Sequence, residues 1–455
     1  MLPWLDQEFL ARLQSLGELE QEPQRAKLAA RLAFWRVQKL AQTLLAALET
    51  AFYKDAPNLK ELTQTLARAI NALEGSSESF WIRLLNQTLS QLPLTEPAAV
   101  AETPELFLAV SQSDVAGVVT VPTSGSTGQA KRIYSTVADL ENTEDFYYFG
   151  MRNIVDPGQN DRVALLMSGT RPGSVGDMLG RALGRWPIEF SVPGFPPLGR
   201  EEFWGWYQEL LAWEPTCLVG VPAQVLALAR HDLGRQLAQT VRAVLLSGDV
   251  APKGLFRAIE EELPKAKVFL HYGQTEFGLG GAVECRFHLG PHFREADIIL
   301  EILGPNGQSL PPGEIGEMVL TSLSRQAMPL IRYRTGDLGA WAVGVCPCGS
   351  IFRRIKTYGR VVDQVVWRDG QKEPFWKISE ILYSLPGVVG FKALAPEEPD
   401  DCLKLIVNVK DGPDKATEAS LSELFKGRKW AISYEDASSV KGQATGKQIL
   451  HKSAT

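Results

Sequence analysis

The chain has little of what marks several large protein classes. No apolar run approaches the roughly 20 residues that a membrane-spanning helix needs, so no membrane partner is expected. Positive charge is not in excess: 47 Lys and Arg face 53 Asp and Glu, a net charge of −6. A surface that grips nucleic acid needs clustered cations, so that partner is not expected either. Cysteine is sparse, with residues only at 217, 285, 346, 348 and 402 of 455. An odd, low count argues for reduced thiols or a metal site over a disulfide framework. The opening MLPWLDQEFLARLQ carries acids where a secretory leader carries basic charge, so a cytoplasmic location is expected. Internal repeats and low-complexity tracts are lacking too.

What is present is a globular composition, 45% hydrophobic and 22% charged, at a length that calls for two or three domains. Residues 1–100 predict helices: in QRAKLAARLAFWRVQKLAQTLLAALETAFY the apolar positions recur at three and four. From about 117, short aliphatic runs (GVVTVPT, DRVALLMSG, TCLVGVP, VRAVLLSGD, AKVFLHYG) alternate with helical stretches. That alternation predicts a parallel sheet with helices on both faces. Over 281–345 strand follows strand between Gly/Pro turns, the pattern of an antiparallel subdomain. The tail 361–455 alternates again and is long enough to form a small domain.

One loop concentrates donors. In VPTSGSTGQAKR, residues Thr123, Ser124, Gly125, Ser126, Thr127 and Gly128 precede Lys131. Glycines let backbone N–H groups approach an anion, hydroxyls add donors, and the lysine adds a point charge for phosphate. The spacing is not that of a Walker loop, and no dinucleotide fingerprint occurs anywhere in the chain. Taken alone, the segment also reads as a flexible Ser/Gly surface turn.

Its company decides between these readings. HYGQTE (271–276), YRTGDLG (333–339), Gly359-Arg360 and Gly446-Lys447 follow in order over more than 300 residues. This set resembles the adenylate-forming superfamily of acyl-CoA synthetases, adenylation domains and luciferases. The helical start reaching FYKDAP, VECRFHLGPH, MPLIRYRTGDL and CPCGSIFRRI are similar to its phenylacetate-CoA ligase group.

The resemblance implies an α/β class: a large N-terminal domain (101–360) with doubly wound sheets and the β-subdomain, the helical segment 1–100 packed on it, and a small mobile α+β domain (361–455). It implies activation of a carboxylic acid, aryl or arylacetic, by ATP in the presence of Mg²⁺, then transfer to coenzyme A. Thr123 to Gly128 and Lys131 would hold the β- and γ-phosphates. Thr275 would touch the α-phosphate and Glu276 would ligate Mg²⁺. Asp337 would accept the ribose hydroxyls with Arg360 nearby. Ser247, Gly248 and Asp249 would bind adenine, Tyr272 would stack on it, and Gly273 would complete that motif. Tyr148 and Phe149 would wall the acyl pocket. Lys447 would be catalytic, reaching the reacting groups from the mobile domain. Cys285, His292, Cys346 and Cys348 would form a structural zinc set, with His288 as the rival histidine. A homodimer fits the group as well.

Three departures stand out. Ala130 replaces a frequent proline, Val362 stands where the hinge usually carries an acid (Asp363 follows), and GQKEPFW departs from the group's run there. Two alternatives therefore stay open: transfer of the acyl or AMP group to a carrier protein or other coenzyme, and a non-catalytic nucleotide-binding homologue.

Overall fold

The structure is a computed structural model that describes residues 22–73, 75–121, 131–169, 171–197, 200–367, 370–395, 402–410, 419, 422–423, 425–426, 430–436 and 450–452. It contains two compact units. The first is drawn from 1–150, 171–182 and 272–356, the second from 151–170, 183–271 and 357–455.

The helical start is as its periodicity predicts: Glu22–Leu48, Leu59–Ala72 and Glu78–Gln91 are helices. The long helix places Val37, Leu40 and Leu44 on one face, and Trp81, Leu85 and Leu89 meet them from the third. These side chains pack on Ile298, Leu300 and Ile302, which line alternate positions of strand Ile298–Leu303. That strand runs antiparallel to Gly316–Ser322, which pairs in turn with Tyr333–Trp341. The β-subdomain expected over 281–345 is therefore the floor on which the helices lie.

The FYKDAP segment has a definite task in this unit. Tyr53, fully buried, accepts the Ile331 N–H at 3.1 Å and bonds Thr95 Oγ1 at 2.6 Å. Thr95 Oγ1 donates in turn to the Ile331 carbonyl at 2.6 Å. Its backbone also accepts from Arg334 and donates to Arg332. Arg332 itself sits in the left-handed region, φ 42°, which costs an ordinary residue on the order of 1 kcal/mol. Its buried guanidinium compensates by gripping both Glu301 oxygens at 3.0 Å and the Leu92 carbonyl at 2.9 Å. The backbone is thereby turned just ahead of Tyr333.

The second unit holds five parallel strands in the spatial order Glu189–Ser191, Arg162–Leu166, Cys217–Gly220, Ala243–Leu246, Lys267–Tyr272. Numbered along the chain this is 2-1-3-4-5, a doubly wound arrangement. The chain after 357 adds helix Phe375–Tyr383 and a four-stranded sheet. In that sheet Val388–Ala395 and Leu403–Val409 are antiparallel, while Trp430–Asp436 pairs parallel with Leu403–Val409 and Leu450–Lys452 pairs parallel with Val388–Ala395. Phe375, Ile378 and Leu382 share a core with Leu228, Leu255 and Ile259. A Cβ at Gly254 would lie 2.5 Å from the Glu380 carbonyl oxygen, so glycine there lets two helices touch backbone to backbone.

Candidate active site

Lys131 opens strand Lys131–Ser135, which is antiparallel to Gly117–Val121 with Val121 opposite Lys131. The two ends of the donor-rich loop are thus hydrogen-bonded neighbours. Thr123, Ser124, Gly125, Ser126, Thr127, Gly128 and Ala130 lie outside the described residues.

From this strand the Lys131 ammonium reaches Glu276 Oε1 at 2.9 Å and the Tyr333 hydroxyl at 2.7 Å. An ammonium only donates, so the phenol accepts from Lys131 and gives its own proton to Glu276 Oε1 at 2.7 Å. Glu276 rides a short 3₁₀ turn, Thr275–Phe277, closed by Gly278 at φ 76° with its N–H on the Thr275 carbonyl. Burial pushes the Glu276 carboxyl up, but the Lys131 charge, with hydrogen bonds from Lys131 and Tyr333, outweighs it. The group ends below the usual carboxylate range and stays ionised.

Beside this triad stands a second cluster. Asp337 Oδ2 accepts from the Tyr272 hydroxyl at 2.9 Å and from Gln274 Nε2 at 2.5 Å. Its backbone N–H donates to Thr335 Oγ1 at 3.0 Å, with Gly336 in the left-handed region between them. Tyr272, Gly273, Gln274, Thr275 and Glu276 thus present alternate members of one segment to both clusters. Tyr148 and Phe149 are half-buried on helix Val137–Met151, edge to face at 5.1 Å.

In the second unit Ser247 and Gly248 follow strand Ala243–Leu246 at its carboxyl end, the side on which such sheets bind ligands. Gly248 takes φ 88°, and Asp249 Oδ1 accepts its neighbour Val250 N–H. Ser247 Oγ lies 2.8 Å from His271 Nδ1, and burial pulls that ring down to about 4, so it is neutral at pH 7. Arg360 ends strand Ile355–Arg360 in this unit, behind Gly359 at φ 85°. Lys447 lies outside the described residues. A cavity of about 400 Å³ bounded by Arg152, Asp156, Arg242 and Lys267 opens at the opposite, amino-terminal ends of the strands, away from Ser247.

The cysteine cluster is in the first unit. The ligand atoms of Cys285, His292, Cys346 and Cys348 all lie within 4.8 Å of one another. Cys285 and Cys346 sulfurs are 3.6 Å apart, and Cys348 Sγ is 3.3 Å from His292 Nε2. Four ligands at about 2.0–2.3 Å around one tetrahedral ion would be separated by roughly 3.5–3.8 Å, so the set fits zinc. His292 Nδ1 faces the Phe352 carbonyl at 2.7 Å and must donate to it, which leaves Nε2 as the donor toward a metal. The Cys348 thiol is drawn down to about 3, first by its hydrogen bond from Cys285, then against burial by His292. That hydrogen bond, and then burial, push Cys285 up. His288 stands apart at φ 50°.

A family model described as AMP-binding enzyme matches residues 41–325, more than half of the sequence. The chain belongs to the AMP-binding enzyme family. Phenylacetate-coenzyme A ligase of Thermus thermophilus is 35% identical over 122 residues, 26% of this chain and 27% of its own. The Pseudomonas putida phenylacetate-coenzyme A ligase is 33% identical over 168 residues, 34% and 36% of the two chains. The matched stretches thus span about a quarter to a third of those relatives' length. A crystal structure of 2-hydroxyisobutyryl-CoA ligase in the postadenylation state aligns with TM-score 0.75 and 18% identity, covering 95% of this chain and 90% of that one.

For this AMP-binding enzyme, three polar residues of the clusters escaped the sequence reading. Tyr333 is the first letter of YRTGD, Gln274 lies inside YGQTE, and His271 ends an apolar run. Nothing in their spacing marks them. Each is defined by a partner between 24 and 202 residues away.

Proposed function

We propose that the chain is an ATP-dependent acid–CoA ligase that works through an acyl-adenylate. The observation that carries this reading is the meeting of Lys131, Glu276 and Tyr333 next to the Tyr272–Gln274–Asp337 cluster. It sets a cation, a buried carboxylate and a second acid within one short segment's reach, as a triphosphate with its ribose requires.

A carboxylate oxygen of the substrate attacks the α-phosphorus, a bond to the acyl oxygen forms, and pyrophosphate leaves with the electrons of the broken P–O bond. Two anions repel as they approach, so the chain's task is to neutralise and position. Lys131 and the donors of 123–128 take the terminal phosphates, Thr275 the α-phosphate and Asp337 the ribose hydroxyls, with Arg360 at the sugar side. Ser247, Gly248, Asp249 and Tyr272 take the base, and Tyr148 and Phe149 wall the acid. Lys447 carries positive charge to the reacting oxygens. Glu276, an ionised oxygen ligand, suits Mg²⁺, which supplies charge neutralisation on the phosphates. In the second half-reaction the coenzyme A thiolate attacks the acyl carbon, and AMP departs. An aryl or arylacetic acid is the substrate class that the phenylacetate-coenzyme A ligase relatives suggest. Cys285, His292, Cys346 and Cys348 hold a structural zinc, closed to substrate by four protein ligands.

Acid-dependent ATP–pyrophosphate exchange over a panel of aryl, arylacetic and short aliphatic acids tests the first half-reaction. Mass detection of a thioester after coenzyme A is added tests the second. Exchange without a thioester would redirect the acyl group to a carrier protein or other coenzyme, an outcome that the Val362 substitution at the hinge makes worth measuring. No exchange with any acid would leave a nucleotide-binding homologue.

A further inference from the structure

The core needs an aromatic ring at position 333, and a phenylalanine would supply one. Tyr333 is fully buried, its ring 5.9 Å from that of Phe277 and 5.5 Å from the Lys131 ammonium. The hydroxyl itself joins the ion pair, accepting from Lys131 and donating to Glu276. Effort is concentrated on its placement. The Tyr53–Thr95 bonds hold the backbone before it, and Arg332 is kept in a left-handed conformation by Glu301 and the Leu92 carbonyl.

Lys131 is bonded to Glu276, yet the function proposed above asks both to let go of each other. Lysine must turn to phosphate while the carboxylate turns to a divalent cation. A carboxylate that lost its lysine with nothing else to hold it would swing or repack. We propose that Tyr333 is a positioning residue, the pivot of an exchange in which Lys131 leaves Glu276 for the triphosphate and the cation takes its place. The phenol's donated hydrogen bond keeps Glu276 aimed throughout. This rests on the acid–CoA ligase reading and goes beyond it by giving the hydroxyl a role distinct from that of its ring.

The test separates cation affinity from nucleotide affinity and needs no turnover. Mn²⁺ serves as probe, with free Mn²⁺ read by electron paramagnetic resonance in the presence of α,β-methylene-ATP, which cannot be cleaved at the reacting bond. AMP binding is measured separately in EDTA. Tyr333→Phe should weaken Mn²⁺ about tenfold or more, the scale of a hydrogen bond to a charged group. AMP affinity should stay within about twofold, since a removed hydroxyl that merely loosened the site would weaken both ligands together. Parallel loss of both, or unchanged Mn²⁺ affinity, overturns the pivot. Lys131→Gln gives an independent arm that decides the matter if Tyr333→Phe does not fold. With the competing ammonium gone, Mn²⁺ should bind the nucleotide-free protein about threefold or more tightly, against the roughly 1.4 kcal/mol that a tenfold change represents. Equal or weaker binding refutes the exchange. Glu276→Gln is the control for the underlying function. If it loses Mn²⁺ while Tyr333→Phe does not, only the pivot falls. If it too keeps Mn²⁺, the cation role of Glu276 falls with it.

Discussion

His271 carries the clearest consequence of burial for one side chain. Its ring, bonded to Ser247, titrates near 4 instead of 6.5 because burial disfavours the charged form. Above pH 6.5 folded and unfolded chains both hold it neutral. Between 6.5 and about 4 the unfolded chain takes up a proton that the folded one refuses, so stability is lost as pH is lowered, by at most ~1.4 kcal/mol per unit. Urea unfolding of wild type and His271→Asn across pH 4–7 should show this component of the slope only in the wild type. Parallel profiles would remove the assignment. Glu276 behaves in the same direction at lower pH: its contribution is complete above about 4.5 and is lost as pH falls through its depressed value. What could be read at this scale depended on residue chemistry. Cys285, His292, Cys346 and Cys348 could be grouped because few side chains bind metal, and the fold does bring them together; Asp337 could be singled out because its acid sits in a recognisable run. Tyr333 and Gln274 were not, since tyrosine in a strand and glutamine in a loop are ordinary until a distant carboxylate arrives beside them.

At the scale of elements, periodicity was enough for types and not for contacts. The three- and four-residue recurrence gave the helices of 22–91, and four of the five aliphatic runs became parallel strands, while GVVTVPT instead pairs antiparallel with Lys131–Ser135. No pattern in the run PKGLFRAIEEEL says that Gly254 is the point at which helix Lys253–Glu262 meets helix Phe375–Tyr383. Only the packed chain shows the Glu380 carbonyl oxygen, and the N–H of Ser384 that caps the second helix, within 2.5–2.7 Å of where a side chain would start. Backbone cannot move aside as a side-chain tip can. Gly254→Ala should therefore push the helices apart and cost about 1–3 kcal/mol, the scale of overpacking. Denaturant midpoints check the loss, and limited proteolysis of 375–455 should quicken. A variant as stable as wild type would mean that the contact is adjustable.

For the whole molecule, the proposals concern parts that are far apart in sequence. Lys447→Ala should abolish acid-dependent pyrophosphate exchange and leave AMP affinity nearly intact, because in the proposed function its charge is needed only while the two anions react. Unchanged exchange in that variant would end the assignment of a catalytic lysine to the tail. The cysteine–histidine set joins residues 285–292 to 346–348, closing a loop of some sixty residues. Protein prepared without a metal-affinity tag should contain about one zinc per chain. Stripping the metal with a chelator should lower Tm by several degrees, about what a few kcal/mol of ligand linkage gives in a domain of this size. Less than about a tenth of an equivalent, with no shift in Tm, would leave the four side chains as packing alone.

The pairing of Val121 with Lys131 has a practical meaning for anyone redesigning this chain. It acts as a clasp: the ammonium travels with its strand, whose register is set by residues 117–121 and 131–135. Exchanging segment 122–130 with that of a relative therefore leaves untouched the paired residues that place Lys131.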